Sequence, residues 1–386
     1  MRRRLVAALV AAVLVAGCGG APSHIRAASA SKRVVRTPTT DPATSAEPAA
    51  PRVHAFAAAT GVPWSSVGPG WFLVAVDGKT TRLLLVDPIG HHYPVYTAGR
   101  SGMTVTGWSG DGQRVLLQQL YTRRPQPTYV VDLRTGREWQ PRLPAHASVF
   151  GFTAPNGLGL LTAAVTGFSS GSPSGYRIER RGLDGGDPVA LSSDLVAEHG
   201  EVTPNAVYLP SGTALVVGEA GRLVLVDNAT GQPVHAIPGS SDCTSRRMWD
   251  ATHVLAGCPH GLTLLSITDG PGRILVRPHS NKGPDYDDVD VWSLGGALYT
   301  RSLGACGYEF VGRVDADGHV HEMPIPHTVG NTIPLAVWNG RLAVQARQGC
   351  EGPDAPSLLW FDPSTGAEQV LWSPQRGDED VQILAQ

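Results

Sequence analysis

The chain has 386 residues, of which 42% are hydrophobic and only 17% charged, with 46 glycines, 31 prolines and a formal net charge of −2. That length exceeds one small domain, although a closed ring of repeats can hold such a chain as a single unit. The near-neutral balance gives no ground for expecting nucleic acid or an anionic membrane surface as a charge-held partner. The glycine and proline content suits a fold that turns every few residues.

The first element is a targeting segment. Arg2, Arg3 and Arg4 precede the short apolar run Leu5–Val15. A membrane-spanning helix needs about 20 apolar residues, so this run is too short to remain as an anchor. It ends in Val15-Ala16-Gly17-Cys18, which resembles the lipobox of bacterial lipoproteins. An ordinary secretory signal with an unrelated cysteine is the competing reading. The basic start, the core length, the small residues and the position of Cys18 all agree with the lipobox. The resemblance implies lipidation of Cys18, palmitate among the attached chains, cleavage before it, and a protein held on the extracytoplasmic face of the cell membrane. Lipid chains bind bilayers with about 0.8 kcal/mol per buried CH₂, so several on one cysteine hold firmly.

Residues 19–52 follow as a tether rich in Ala, Ser, Thr and Pro. With few large apolar side chains, such a segment cannot offset its chain entropy and is expected to be disordered. As a flexible chain it would reach roughly 30–35 Å.

From residue 53 to 386 the pattern becomes short β-type runs broken by Gly, Asp, Asn and Pro. One unit recurs. Val131–Gln140 reads VDLRTGREWQ, an apolar strand end, a turn with Asp132 and Thr135-Gly136, and a second strand. Close copies start at Val86, Val226 and Phe361, and looser ones at Arg181, Ser266 and Val314. Copies stand roughly 41–52 residues apart, a period in the range of four-stranded propeller blades. The expected fold is therefore all-β: a seven-bladed β-propeller of four-stranded antiparallel blades. The blades are placed at about 60–99, 102–144, 146–195, 200–239, 242–279, 285–327 and 330–373. A first hairpin in each blade is marked by Asp111-Gly112, Asn156-Gly157, Ser211-Gly212, Gly295-Gly296 and Asn339-Gly340. Such pairs between apolar runs are strong hairpin signals. Blade five uses Trp249–Thr252 without a glycine, and blade one is assigned the hairpin VPWSSVGPGWFLV from Val62. A ring must pair its two ends, because an open edge invites aggregation. Either the tail 378–386 or the stretch 52–57 can supply that closure.

The stretch WSGDGQRVLL from Trp108 resembles the TolB-like and WD-repeat-like propeller repeat, with its Ser-x-Asp-Gly-x-x-apolar hairpin. The resemblance covers about residues 60–373. Its copies are degenerate, and none shows the Trp-Asp end of true WD repeats. It implies the fold, and a family made mostly of binding platforms with some domains attached to enzymes.

Five cysteines are present. With Cys18 assigned to lipid, Cys243, Cys258, Cys306 and Cys350 remain, an even number in an exported domain, which favours disulfides. Of the three possible connectivities, Cys243–Cys258 within a blade and Cys306–Cys350 between neighbouring blades are favoured. All four fall in loops of one face. Four free or metal-binding thiols are the rival, without CxxC spacing to support it.

Three spellings hint at chemistry. Gly167-Phe168-Ser169-Ser170-Gly171 matches a GxSxG nucleophile elbow, but it sits in a Gly/Ser-rich loop between strands where no helix can follow. Asp285, Asp287, Asp288 and Asp290 are a weak candidate Ca²⁺ site, with spacing that does not fit an EF-hand. His91-His92 would point to opposite faces of a strand and make a poor joint metal site. Trp64, Trp108, Trp249, Trp292 and Trp338 recur near the end of the first strand in five blades, as interblade packing would require. No cofactor is expected, and a monomer is.

Two functions remain. The first is a surface-tethered, non-catalytic platform or scaffold for a protein, glycan or envelope partner. The second is an exported propeller hydrolase or lyase with a site in the central channel. A funnel of clustered His, Asp, Glu or Arg would favour the enzyme.

Overall fold

The structure, a computed structural model, describes residues 61–119, 127–169, 172–193, 195–196, 205–279, 287–304, 307–328, 330–347, 355–378 and 380–386. The targeting segment with Cys18, the tether, the alternative closing stretch 52–57, Cys306, Cys350 and Asp285 lie outside the described residues.

Several middle strands are buried along their length without alternation. Phe72 to Val76, Leu223 to Val226 and Leu342 to Gln345 are all buried. A strand covered on one face alternates, so these must be covered on both. The covering comes from neighbouring blades. The strands form seven antiparallel sheets, each with an inner, a second, a third and an outer strand. In blade one these are Asp380–Ala385, Phe72–Asp77, Arg82–Val86 and His92–Thr97. The inner strands of blades two to seven are Met103–Trp108, Ala147–Phe152, Ala206–Tyr208, Thr244–Met248, Asp287–Leu294 and Thr332–Trp338. Met103–Trp108 touches the inner strands of blades one and three, and Asp380–Ala385 touches that of blade seven, which closes the ring.

Between each pair of neighbouring blades lies an apolar slab. Leu73, Leu85, Val105 and Leu117 fill that between blades one and two. Phe72, Val381, Leu358 and Trp360 fill that between blades one and seven. The other five interfaces are built the same way. The fold is a seven-bladed propeller, with blades at the positions expected from the repeat.

Blade one needs a correction. The stretch from Val62 does not form its first hairpin. Trp64–Ser66 is a single 3₁₀ turn, and the inner position is taken by the tail, paired from Phe72↔Ala385 to Asp77↔Asp380. Pro63 and Pro69 have no N–H to give a ladder, so this stretch is a poor inner strand. Trp64 instead packs on the slab between blades one and two.

The ring has two unlike faces. On one, the turn face, lie the links from inner to second strand and from third to outer strand. The recurrent VDxxTG unit is the second kind. Asp132 Oδ1 accepts the N–H groups of Arg134 and Thr135 at 3.0 and 2.9 Å. Asp87, Asp227, Asp315 and Asp362 do the same for their own turns. The looser copies differ for a visible reason. Blade three uses Asp184, bonded to Gly186 N, and blade five uses the Ser266 hydroxyl, bonded to Thr268 N and Asp269 N. A short polar side chain that bonds the backbone two residues on makes such turns.

Those bonds tune acid stability. The Ser364 hydroxyl, and then its N–H, hold the Asp362 carboxyl down at about 2. The His321 ring, and then the His319 N–H, hold Asp315 at about 2. A carboxyl held below its unfolded value near 3.8 contributes stability above that value and loses it as pH falls towards 2. The urea midpoint should therefore drop between pH 4 and 2. The double variant Asp315→Asn, Asp362→Asn should show a shallower drop; an unchanged slope would contradict the assignment.

Candidate functional site

On the opposite face, the loop face, lie the links from second to third strand and the connections between blades. They vary in length from the two residues 220–221 to the stretches 277–286 and 347–356. Blade three has the most prominent element. Its hairpin strands Gly159–Ser169 and Ser172–Gly182 have 11 residues each, against 6 in Ala214–Glu219 and Arg222–Asp227 of blade four. The excess extends the hairpin by roughly 16 Å at about 3.3 Å per residue. Register shifts at Pro173/Gly175 and Gly175/Tyr176 bend it. Phe168 stands exposed near its tip, edge-on to the His146 ring at 5.1 Å, beside the inner strand of the same blade. This hairpin is also where GxSxG lies. Phe168 pairs with Pro173 and Ser169 with Ser172, while Ser170 and Gly171 fall outside the described residues. Strand follows strand, so the strand-to-helix elbow that exposes a nucleophile is absent here.

A second feature is a buried polar patch in the interface between blades five and six. Towards the turn face their interface is apolar, with Leu255, Leu264, Val291 and Leu298 in contact. Alternation puts Gly257 on the face of Leu255, and Thr300 and Ser302 on the face of Leu298. Towards the loop face the interface therefore becomes polar. Asp288, buried, accepts the Ser302 hydroxyl at 2.5 Å, and His279 Nε2 stands 3.1 Å from its other oxygen. Thr300 and Ser302, both fully buried, share a hydrogen bond of 2.7 Å. Burial pushes the Asp288 carboxyl up from 3.8, against the pull of the Ser302 hydroxyl and His279. The carboxylate sits between serine and histidine. A nucleophilic triad needs the histidine in the middle, so the chain Ser302–Asp288–His279 cannot activate its serine. It can hold His279 in one orientation.

The remaining candidates separate. Asp287 accepts the Asp288 N–H, and Asp290 pairs with Arg247 at 2.9 Å. With Asp285 outside the described residues, the three aspartates go to three different partners. Among the described residues there is no group of three or more His, Cys, Asp or Glu able to hold a metal. His91 turns to Asp87 at 3.0 Å, and His92 to the Leu371 carbonyl at 2.8 Å. Trp64 and Trp108 pack in the slab between blades one and two, Trp338 between seven and one, and Trp249 between five and six. Trp292 departs from the pattern. It lies against the Arg247 guanidinium at 5.5 Å, with Trp249 at 5.3 Å, so an arginine occupies the space that apolar groups fill elsewhere. Cys243 and Cys258 are joined by a disulfide at a Cα separation of 4.2 Å, closing a loop of 15 residues. The chain-entropy model assigns such a closure about 3 kcal/mol.

No protein-family model matches the chain, and no curated protein does. Among solved structures, a candidate 6-phosphogluconolactonase from Bacteroides fragilis is 14% identical with a TM-score of 0.50, covering 83% of this chain and 99% of its own. Prolyl oligopeptidase B from Galerina marginata is 11% identical with a TM-score of 0.52, over 79% of this chain and 50% of its own; this chain spans about half its length. TolB from Acinetobacter baumannii aligns at 15% identity and a TM-score of 0.42, over 64% of this chain and 62% of its own, and adds no weight. At such identities the likeness is one of fold alone.

The raised Asp288 gives a sign that can be checked. A carboxyl raised in the fold is penalised when ionised, so its burden is present above the raised value and vanishes below the unfolded value of 3.8. Asp288→Asn should raise the melting temperature at pH 7 and leave it unchanged near pH 3. Ser302→Ala should cost about 1–3 kcal/mol at pH 7, because it strips a hydrogen bond from a buried charge. Equal effects of Asp288→Asn at both pH values would remove Asp288 as the source.

Proposed function

We propose that the chain is an exported, lipid-anchored propeller that acts as a binding platform through its loop face. The observation that carries this reading is the inequality of the two faces. The turn face is spent on short turns fixed by their own aspartates and serines. The loop face carries variable connections and the overhanging hairpin of blade three with exposed Phe168. Binding residues sit on loops held by a rigid scaffold. The partner is a protein, glycan or envelope component. The anchor rests on the sequence alone: Arg2–Arg4, the apolar run and the Cys18 context. The reading as an exported propeller hydrolase or lyase would need a reactive constellation, and the Ser302–Asp288–His279 order does not provide one.

Three experiments test the proposal. Replacing residues 166–175 with a two-residue turn should abolish cross-linking to the partner in native membranes, while Leu158→Ser on the turn face should leave it intact. Equal cross-linking by both variants would refute the loop-face assignment. Cys18→Ser should release the protein into the medium or leave it unprocessed, and unchanged detergent-dependent membrane association would count against the anchor. Cys306 and Cys350 follow the second strands of adjacent blades six and seven, and non-reducing peptide mapping should recover them as one linked pair; recovery as free thiols would overturn that pairing.

A further inference from the structure

We infer that residues 62–70 form a detachable strap that locks the closure of the ring. When the strap lifts from the leading end of the chain, blade one loosens while the other blades stay folded. The inference goes beyond the platform reading and needs neither the partner nor the anchor.

The stretch belongs to no blade. All seven sheets have their strands without it, and the inner position of blade one is filled by Asp380–Ala385. Among the described residues its backbone hydrogen bonds are local. Trp64 N–H donates to the Val62 carbonyl at 2.9 Å, and Ser66 N–H to that of Pro63 at 2.8 Å. The strap ends in a tight turn. Trp71 N–H donates to the Gly68 carbonyl at 3.0 Å, with Pro69 and then Gly70, at φ +85°, in the two central positions. Proline followed by a glycine of positive φ makes a type II turn. The hinge beyond it is fixed. The Trp71 ring stacks on Tyr93 at 5.6 Å, and the Trp71 carbonyl accepts the Gln386 N–H at 3.1 Å.

What the strap touches is the seam. On the turn face it reaches both neighbours of blade one. Gly70 lies on the Trp338 indole of blade seven, where a Cβ would stand 2.8 Å from two of the ring carbons. Trp338 cannot yield freely. It stacks on buried Trp360 at 5.7 Å, whose indole N–H is held by the Pro88 carbonyl at 2.9 Å. On the other side, a methyl group of Val67 fills the space that a Cβ on Gly112 of blade two would take. Val62, Trp64 and Val67 pack into the slab between blades one and two. Gln386 joins the same layer, its side-chain amide donating to the Ser109 carbonyl of blade two at 2.7 Å. A segment held by packing across three blades, with no ladder of its own, opens more easily than the strands beneath it. Blade one is closed by the non-local ladder of Phe72–Asp77 with Asp380–Ala385. Lifting the strap uncovers the end of that ladder before any strand separates.

The test is hydrogen exchange on the detergent-solubilised full chain, read in residues 62–71, in the closing strand Asp380–Ala385 and, as a reference, in Arg222–Asp227 of blade four. In the unaltered chain, residues 62–71 should exchange at least about tenfold faster than the reference, as a unit that opens on its own. Val67→Asp takes an apolar contact from the strap without straining its backbone. It should speed exchange in residues 62–71 and in Asp380–Ala385 by about tenfold and leave Arg222–Asp227 unchanged. Gly70→Ala should do the same by pressing on Trp338. Gly61→Ala is its control, because that glycine has φ +94° and nothing within 4 Å of a Cβ. It carries the backbone strain without the clash, and should leave Asp380–Ala385 unchanged. The two strap variants act at different contacts, so failure of one to fold leaves the other decisive. Exchange in residues 62–71 no faster than the reference, an unmoved closing strand in the strap variants, or an equal rise in Arg222–Asp227 would overturn the proposal.

Discussion

The interaction on which the rest depends is the pairing of Asp380–Ala385 with Phe72–Asp77. Six blade sheets are assembled from neighbouring stretches of chain. The seventh joins the two ends of the ring and carries a closure cost that grows only with the logarithm of loop length, about 5 kcal/mol plus a constant for a loop of this size. Burial of Val381 and Ile383 offsets it at about 1.5–3 kcal/mol each. Without that strand, Phe72–Asp77 would be an open edge, and the slab shared with Trp360 and Leu358 would lose one wall. Because every blade is covered on both faces by its neighbours, that loss would propagate to the next interface.

Outer strands face a different problem, since they are edges by construction. The ladder answers it with irregularity. Val95, Val234, Leu275 and Leu371 are each skipped by the pairing of third and outer strands in blades one, four, five and seven. An interrupted edge is a poor template for another strand. The exposed Val234, Ile274 and Val370 sit on three separate blades rather than in one patch.

The sequence displayed what is local. Asp87, Asp132, Asp227, Asp315 and Asp362 each fix a turn with bonds spanning two to four residues, and with the looser copies of blades three and five their spacing marked seven blades. Positive φ at Gly112, Gly157, Gly212 and Gly340 made the first hairpins legible for the same reason. What was hidden is non-local. The tail was one of two stretches offered for closure, and it is the one that pairs with Phe72–Asp77. Its place as the inner strand of blade one was obscured because it lies some 300 residues away and Val62–Val67 has an apolar start and a tryptophan. The polar group of His279, Asp288, Thr300 and Ser302 draws on an interblade connection and two strands. Its trace in sequence was the acidic cluster, in which Asp288 accepts the Ser302 hydroxyl and Asp290 pairs with Arg247. The overhang of blade three was visible only as a Gly/Ser-rich stretch spelling an unrelated motif.

The antiparallel closure also fixes how the ring bears load. Phe72 and Ala385 are register partners at the turn face. Drawing the two ends apart would peel the closing ladder one pair at a time, the weak direction for a sheet. Tension between the leading end and the loop face acts along Phe72–Asp77, which lies between Asp380–Ala385 and Arg82–Val86. That pull is a shear resisted by two ladders at once, and all their hydrogen bonds must yield together. A ring held by its leading end and tugged through its loops is therefore stressed in its strong direction.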